Sequence, residues 1–277
     1  MSNYSFRRFK DRLAFAIGFL CIGLAIIPLG SILLEVIARG LPALNPEFLT
    51  ATPGIIGQSG GGIANAIQGT LVLIGLTCVI GVPIGVLAGI YLSEFGNNKF
   101  GRTIRFLNDV LTEFPSIVVG ILAFVLVVLA TRRFSALAGA IALSVIMLPI
   151  VARTTEESLK LVPSAVRDGG MALGIRKWRT TLSIVLSAGK SGVVTGVLLS
   201  IARVAGETAP LLLTVLGTNQ FFSGLDKPVD ALPLRIYTYA LLPYPYAQQQ
   251  GWGAALVLIM IVLSINVTVK LVTRRKM

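Results

Sequence analysis

The stretch TLVLIGLTCVIGVPIGVLAGIYLS occupies residues 70–93 and closes a run, 62–93, that contains no charged side chain. A water-soluble domain has no surface on which to place such a run. An α-helix rises about 1.5 Å per residue, so about 20 apolar residues cross about 30 Å of hydrocarbon. A helix also satisfies its backbone amides internally, which lipid demands because it offers no water. The stretch reads as a transmembrane helix.

Comparable blocks lie on both sides, at about 13–38, 107–131, 134–152, 191–217 and 252–272, so the sequence predicts six spans in an all-α integral membrane protein. The composition agrees. Hydrophobic residues make up 55% of the 277 and charged residues 13%, with a mean hydropathy of +0.84. A soluble domain carries about 25% charged residues. The basic lead, residues 1–12 with Arg7, Arg8, Lys10 and Arg12, also fits a signal peptide. The first apolar block is longer than a signal's 7–15 residue core and has no A-x-A-like exit, so an uncleaved span is expected.

The net charge of +12 would suggest a nucleic-acid partner in a soluble chain. Here its distribution gives another reason. With six spans and the N-terminus inside, 18 Lys and Arg fall in inner segments and five (Arg39, Arg132, Arg133, Lys227, Arg235) in outer ones. That is the positive-inside bias, and it places both termini in the cytoplasm, with membrane lipid rather than nucleic acid as the partner of the charge. Cys21 and Cys78 sit in apolar blocks and the chain has no histidine, which removes a disulfide framework, a Cys/His metal site and histidine catalysis. The outer segment 218–251 carries Tyr237, Tyr239, Tyr244 and Tyr246 before Trp252, residues that favour the headgroup level. The other long outer connection, 39–61, ends in glycines that read as a flexible entry turn. No internal repeat points to an inverted-repeat secondary carrier.

The inner segment 153–190 is the longest and most basic. Pro163 and Ser164 make a helix start and Gly174 a stop, with Leu161, Ala165, Met171, Ala172 and Leu173 as an apolar contact surface. Two readings fit: a helix that docks into another protein's groove, or one lying on the inner leaflet. In the fifth block Arg203 and Glu207 are four residues apart, about 40° around a helix, and so share a face. Charges at this depth are costly and face inward, either along a solute pathway or as an ion pair that fixes packing. A guanidinium binds an oxyanion through two parallel hydrogen bonds and stays ionised, which suits a pathway for anions. Glu207 would then hold Arg203 between transport events.

Residues Asp168-Gly169-Gly170, then Gly174 after three residues, then Ile184-x-Leu186 after nine more, resemble the EAA loop of type I ABC-importer permeases. Asp168 stands for Glu, the two glycines for the two alanines, and Ser187 for the closing proline. Further segments resemble the PstA-type phosphate-importer permeases: Gly69-Thr-Leu, Tyr91-Leu-Ser-Glu94, Glu113-Phe-Pro-Ser-Ile-Val-Val-Gly120, Leu148-Pro-Ile-Val-Ala-Arg153 and Ala202-Arg-Val-Ala-Gly-Glu-Thr-Ala-Pro210. The resemblance implies a MetI-like fold with no catalytic residue or cofactor of its own. Asp168, Gly169, Gly170, Met171, Ala172, Leu173 and Gly174 would couple to an ATPase dimer of the PstB type, which binds ATP and Mg. A PstC-type permease would share the pathway, a PstS-type phosphate-binding protein would deliver the solute, and the assembly would sit in the bacterial inner membrane. Arg203 and Arg153 fall where that family carries functional arginines; Arg153 also fits a positive-inside charge. Other cargoes, molybdate or sulfate, and a stand-alone anion channel or secondary carrier are the alternatives. Gly189-Lys190-Ser191 ends like a Walker A loop, but Ile184 stands where its first glycine is required.

Overall fold

The computed structural model describes residues 2–55 and 58–274, with side chains described for 6–55 and 58–271. Arg275, Lys276 and the Arg274 side chain, counted above among the inner cations, lie outside the described residues. Eleven helices organise the described chain: α1 Ser2–Gly40, α2 Pro46–Thr50, α3 Ala64–Glu94, α4 Lys99–Glu113, α5 Ser116–Thr131, α6 Ala136–Lys160, α7 Ser164–Ala172, α8 Lys177–Ala205, α9 Ala209–Thr214, α10 Leu232–Leu241 and α11 Pro245–Arg274. There is no strand among the described residues, only two isolated bridges, Pro53 with Gly61 and Leu216 with Val229. Helices α1, α3, α6, α8 and α11 are each long and apolar enough to cross a membrane, and α4 with α5 forms a sixth candidate as a bent pair.

That bend corrects the third expected block. Instead of one span over 107–131, α4 and α5 meet at an angle of 106°. Pro115 supplies no backbone N–H and disfavours helix in the residue before it, and Phe114 accordingly has an extended ψ of 133°. By contrast Pro83 and Pro149 sit inside α3 and α6, which continue through them. The fifth block is corrected as well. Its helix begins at Lys177, not near 191, and ends at Ala205 rather than 217. A helix continued through Pro210 would drive the proline ring against the carbonyl of Gly206, so the chain breaks and restarts as α9 with Pro210 in its first turn. The inner segment expected as a loop is thus mostly helix.

Lipid removes the hydrophobic drive between helices, so close backbone approach and van der Waals contact must hold them. The α3–α6 seam is built that way. A Cβ added to Gly81 would stand 3.1 Å from Sδ of Met147, and one on Gly85 would stand 2.8 Å from Cβ of Val151. Gly89 lies against Thr155 in the same register. Gly192 and Gly196 similarly bring α8 onto Ser158 and Thr154 of α6. Gly189 of the Walker-like trio lies in this helix, facing Leu159. Around the seam Leu73, Leu143, Met147, Val151, Val204 and Leu211 form the main core. Helix α1 stands apart: the most apolar stretch of this span has no residue buried within the chain, and it joins the rest where Gly40 meets Trp252 and Leu256.

Candidate functional site

The coupling segment folds from local signals. Pro163, at ψ 142°, precedes α7, and Gly174 takes the left-handed φ of +75° that ends it. The amide of Gly174 donates to Met171 O at 2.9 Å and that of Ile175 to Gly170 O at 3.3 Å. Asp168, Gly169, Met171, Ala172, Leu173 and Gly174 are exposed, whereas Gly170 is buried. The expected apolar contact surface is also open, with Leu161 at 84% and Leu173 at 81% exposure. The two glycines that replace the alanines therefore differ. Gly169 has open space before it, while a Cβ on Gly170 would stand 2.6 Å from Cγ2 of Thr180. On the face packed against the rest of the chain α7 is held by Arg167, whose guanidinium lies against Glu94 at the end of α3.

Arg153 does not stand free. Its Nη1 donates to Asp109 at 3.0 Å and its Nε to Glu157 at 3.1 Å, and all three side chains are more than half exposed. They share a cavity of about 180 Å³ with Arg105, Asn108, Glu156 and Lys160. The Glu156 carboxylate is buried there and accepts from Arg105 at 2.7 Å and Lys160 at 2.6 Å. Arg105 also donates to Leu92 O and Gly96 O, tying α4 to the end of α3.

Arg203 and Glu207 are near each other but not on one helical face, because α8 ends at Ala205 and Gly206 turns the chain. Nε of Arg203 is 3.9 Å from the Glu207 carboxylate, an ion pair beyond hydrogen-bond length. Arg203 is 49% exposed and Glu207 17%. Arg153 lies toward the C-terminal end of α6 and Arg203 toward the C-terminal end of α8.

A further polar cluster, joining residues far apart in the chain, lies at the first turn of α3. Asp230 and Arg235 are buried as an ion pair; Arg235 Nε donates to Asp230 at 2.8 Å. Asn65, in the first turn of α3, donates to Asp230 at 3.1 Å and to Thr218 O at 2.6 Å, and Leu232 N donates to Thr70 Oγ1 at 2.8 Å. Burial pushes the Asp230 carboxyl above its ordinary value, and the Arg235 guanidinium opposes that shift. Together these bonds seat the segment 218–235 on the N-terminal end of α3. The described residues contain no group of three His, Cys, Asp or Glu side chains able to hold a metal ion.

Helices of this arrangement, with an exposed elbow of EAA spacing, define an ABC-importer permease. The family profile "Binding-protein-dependent transport system inner membrane component" matches residues 81–276, and the chain belongs to that family. Among its relatives are phosphate permeases. It is 43% identical to the phosphate transport system permease protein PstA of Yersinia pestis over 87% of this chain and 82% of the relative. It is 40% identical to the probable phosphate transport system permease protein PstA of Methanocaldococcus jannaschii, over 88% and 86%. Among solved structures it is similar in fold to the MetNI methionine ABC transporter in an inward-facing conformation, with TM-score 0.61 and 18% identity over 77% of this chain and 94% of that one.

Proposed function

We infer that this chain is the transmembrane permease subunit of an ATP-driven ABC importer that carries inorganic phosphate across the inner membrane. The observation that carries this is identity of 40–43% along most of the chain to permeases named for phosphate transport. The local chemistry fits an oxyanion. Arg203 offers a planar fork of donors and is about half exposed within the single chain, as a residue lining a path shared with a second permease must be. At 3.9 Å the Arg203–Glu207 contact is longer than a hydrogen bond, so it holds the guanidinium by charge alone. A charge-assisted hydrogen bond is worth about 1.5–3 kcal/mol, so an arriving phosphate that makes two can displace Glu207. Once it leaves, the carboxylate takes the guanidinium back and the site does not trap its cargo. Arg153, between Asp109 and Glu157, repeats the device nearer the inner face.

Both termini and α7 face the cytoplasm, where the exposed elbow from Asp168 to Gly174 receives a partner ATPase dimer of the PstB type. A PstC-type permease completes the pathway and a PstS-type binding protein delivers phosphate outside. This chain performs no catalysis; ATP and Mg belong to the partner chains, whose closure and opening bias two states of the pathway. Co-purified subunits in sealed vesicles should take up labelled phosphate only with ATP. Uptake without ATP by this chain alone would overturn the reading, and preferential competition by molybdate or sulfate would reassign the cargo.

A further inference from the structure

The ion pair between Glu94 and Arg167 has no place in the transport cycle just described, yet it is built with unusual completeness. Glu94 is the last residue of α3 and Arg167 lies midway along α7. The carboxylate is 3% exposed and the guanidinium 21%. Arg167 Nη2 stands 2.7 Å from Oε1 of Glu94, and Nε stands 2.9 Å from Oε1 and 3.2 Å from Oε2. The same guanidinium donates to Leu159 O at 2.7 Å and to Val162 O, where the chain leaves α6. Lys177, the first residue of α8, donates to Glu94 O at 2.8 Å and lies 4.7 Å from the Phe95 ring. One buried carboxylate and one guanidinium therefore join α7, α3 and the end of α6.

Resting on the reading of α7 as the ATPase-coupling helix, we propose that Glu94 and Arg167 are a positioning pair, a strut that converts displacement of α7 into displacement of α3. Apolar side chains slide past one another at little cost, whereas a fork of charge-assisted hydrogen bonds fixes both distance and direction. Neither ion can separate without leaving a buried charge uncompensated. Helix α3 is a continuous rod of about 46 Å at 1.5 Å per residue. Its inner end carries Glu94, and its outer end carries Asn65 and Thr70, which hold the 218–235 segment. A push on α7 is thereby delivered to the outer face of the same subunit.

The test is the amount of labelled phosphate moved per ATP hydrolysed by the assembled complex in vesicles. In Glu94→Gln and Arg167→Gln, the ATPase should still co-purify and hydrolyse ATP while phosphate moved per ATP falls about tenfold, the scale of a typical coupling energy. Arg167→Lys keeps the charge but loses the fork and should fall between. If the single variants do not assemble, Glu94→Leu with Arg167→Met removes both charges together and supplies a complex for the same ratio. An unchanged ratio in an assembled variant overturns the strut. Leu173→Asp on the exposed face separates the two ideas. If it leaves the ATPase bound, the coupling reading of α7 is wrong. If it strips the ATPase while Glu94→Gln keeps a normal ratio, only the strut is wrong.

Discussion

A Cβ placed on Gly69 would stand 2.0 Å from the carbonyl oxygen of Asp230, so the segment 218–235 rests directly on the backbone of α3. The obstacle is main chain, which cannot swing aside as a side-chain tip does. Overpacking costs about 1–3 kcal/mol, and Gly69→Ala should sit at the upper end. Gly75→Ala, on the same helix with nothing within 4 Å, is the control and should be neutral. Thermal unfolding of the purified complex in detergent distinguishes them; equal midpoints would show that the segment does not rest there.

Asp230 and Arg235, in the same segment, make a second prediction. Removing one partner of a buried pair costs about 3–5 kcal/mol, because the other charge is left buried. Asp230→Ala should lower the unfolding midpoint strongly, and Asp230→Ala with Arg235→Met should recover part of the loss. Were the double variant worse than the single one by the full cost of a second lesion, the two charges would not be compensating each other.

At the elbow, Gly169→Ala should be silent or slightly stabilising, since Ala is a better helix former by about 1 kcal/mol and nothing obstructs it. Gly170→Ala should weaken ATPase co-purification by lifting α7 from Thr180. Adding Thr180→Ser removes the obstructing Cγ2 and should restore it. Failure of that rescue would place the effect of Gly170→Ala elsewhere.

In the pathway, Arg203→Gln should reduce phosphate uptake at least about tenfold, and Arg203→Lys should keep part of it because the charge remains without the fork. Glu207→Gln leaves the guanidinium without a competing carboxylate, so phosphate should bind more tightly and leave more slowly, with both KM and kcat lowered. Normal uptake kinetics in Arg203→Gln and Glu207→Gln, with assembly verified, would make the pair a packing contact only.

Much of the architecture could be read along the chain. Residues 70–93 lie within α3 and α7 stops at the left-handed Gly174, whereas Pro115 divides by a bend what apolar length alone predicts as one span over 107–131. These are local effects: apolar length, a missing Cβ, a missing amide hydrogen. The Arg203–Glu207 spacing misled for a local reason too, since Pro210 acts back on the helix before it and places Glu207 beyond its end.

Apolar length and spacing established that this chain lives in lipid, as a bundle of helices with a basic elbow of EAA spacing. Which charges meet was decided only by folding. Glu94 and Arg167 are 73 residues apart, and Asn65 and Asp230 are 165 apart. No periodicity links such pairs, because packing of α3 against its neighbours, not the chain between them, sets those distances. The same holds for Gly169 and Gly170, adjacent and identical as residues, one open to solvent and the other closed against Thr180. Chain order cannot tell them apart, since the difference lies in what a neighbouring helix brings to each.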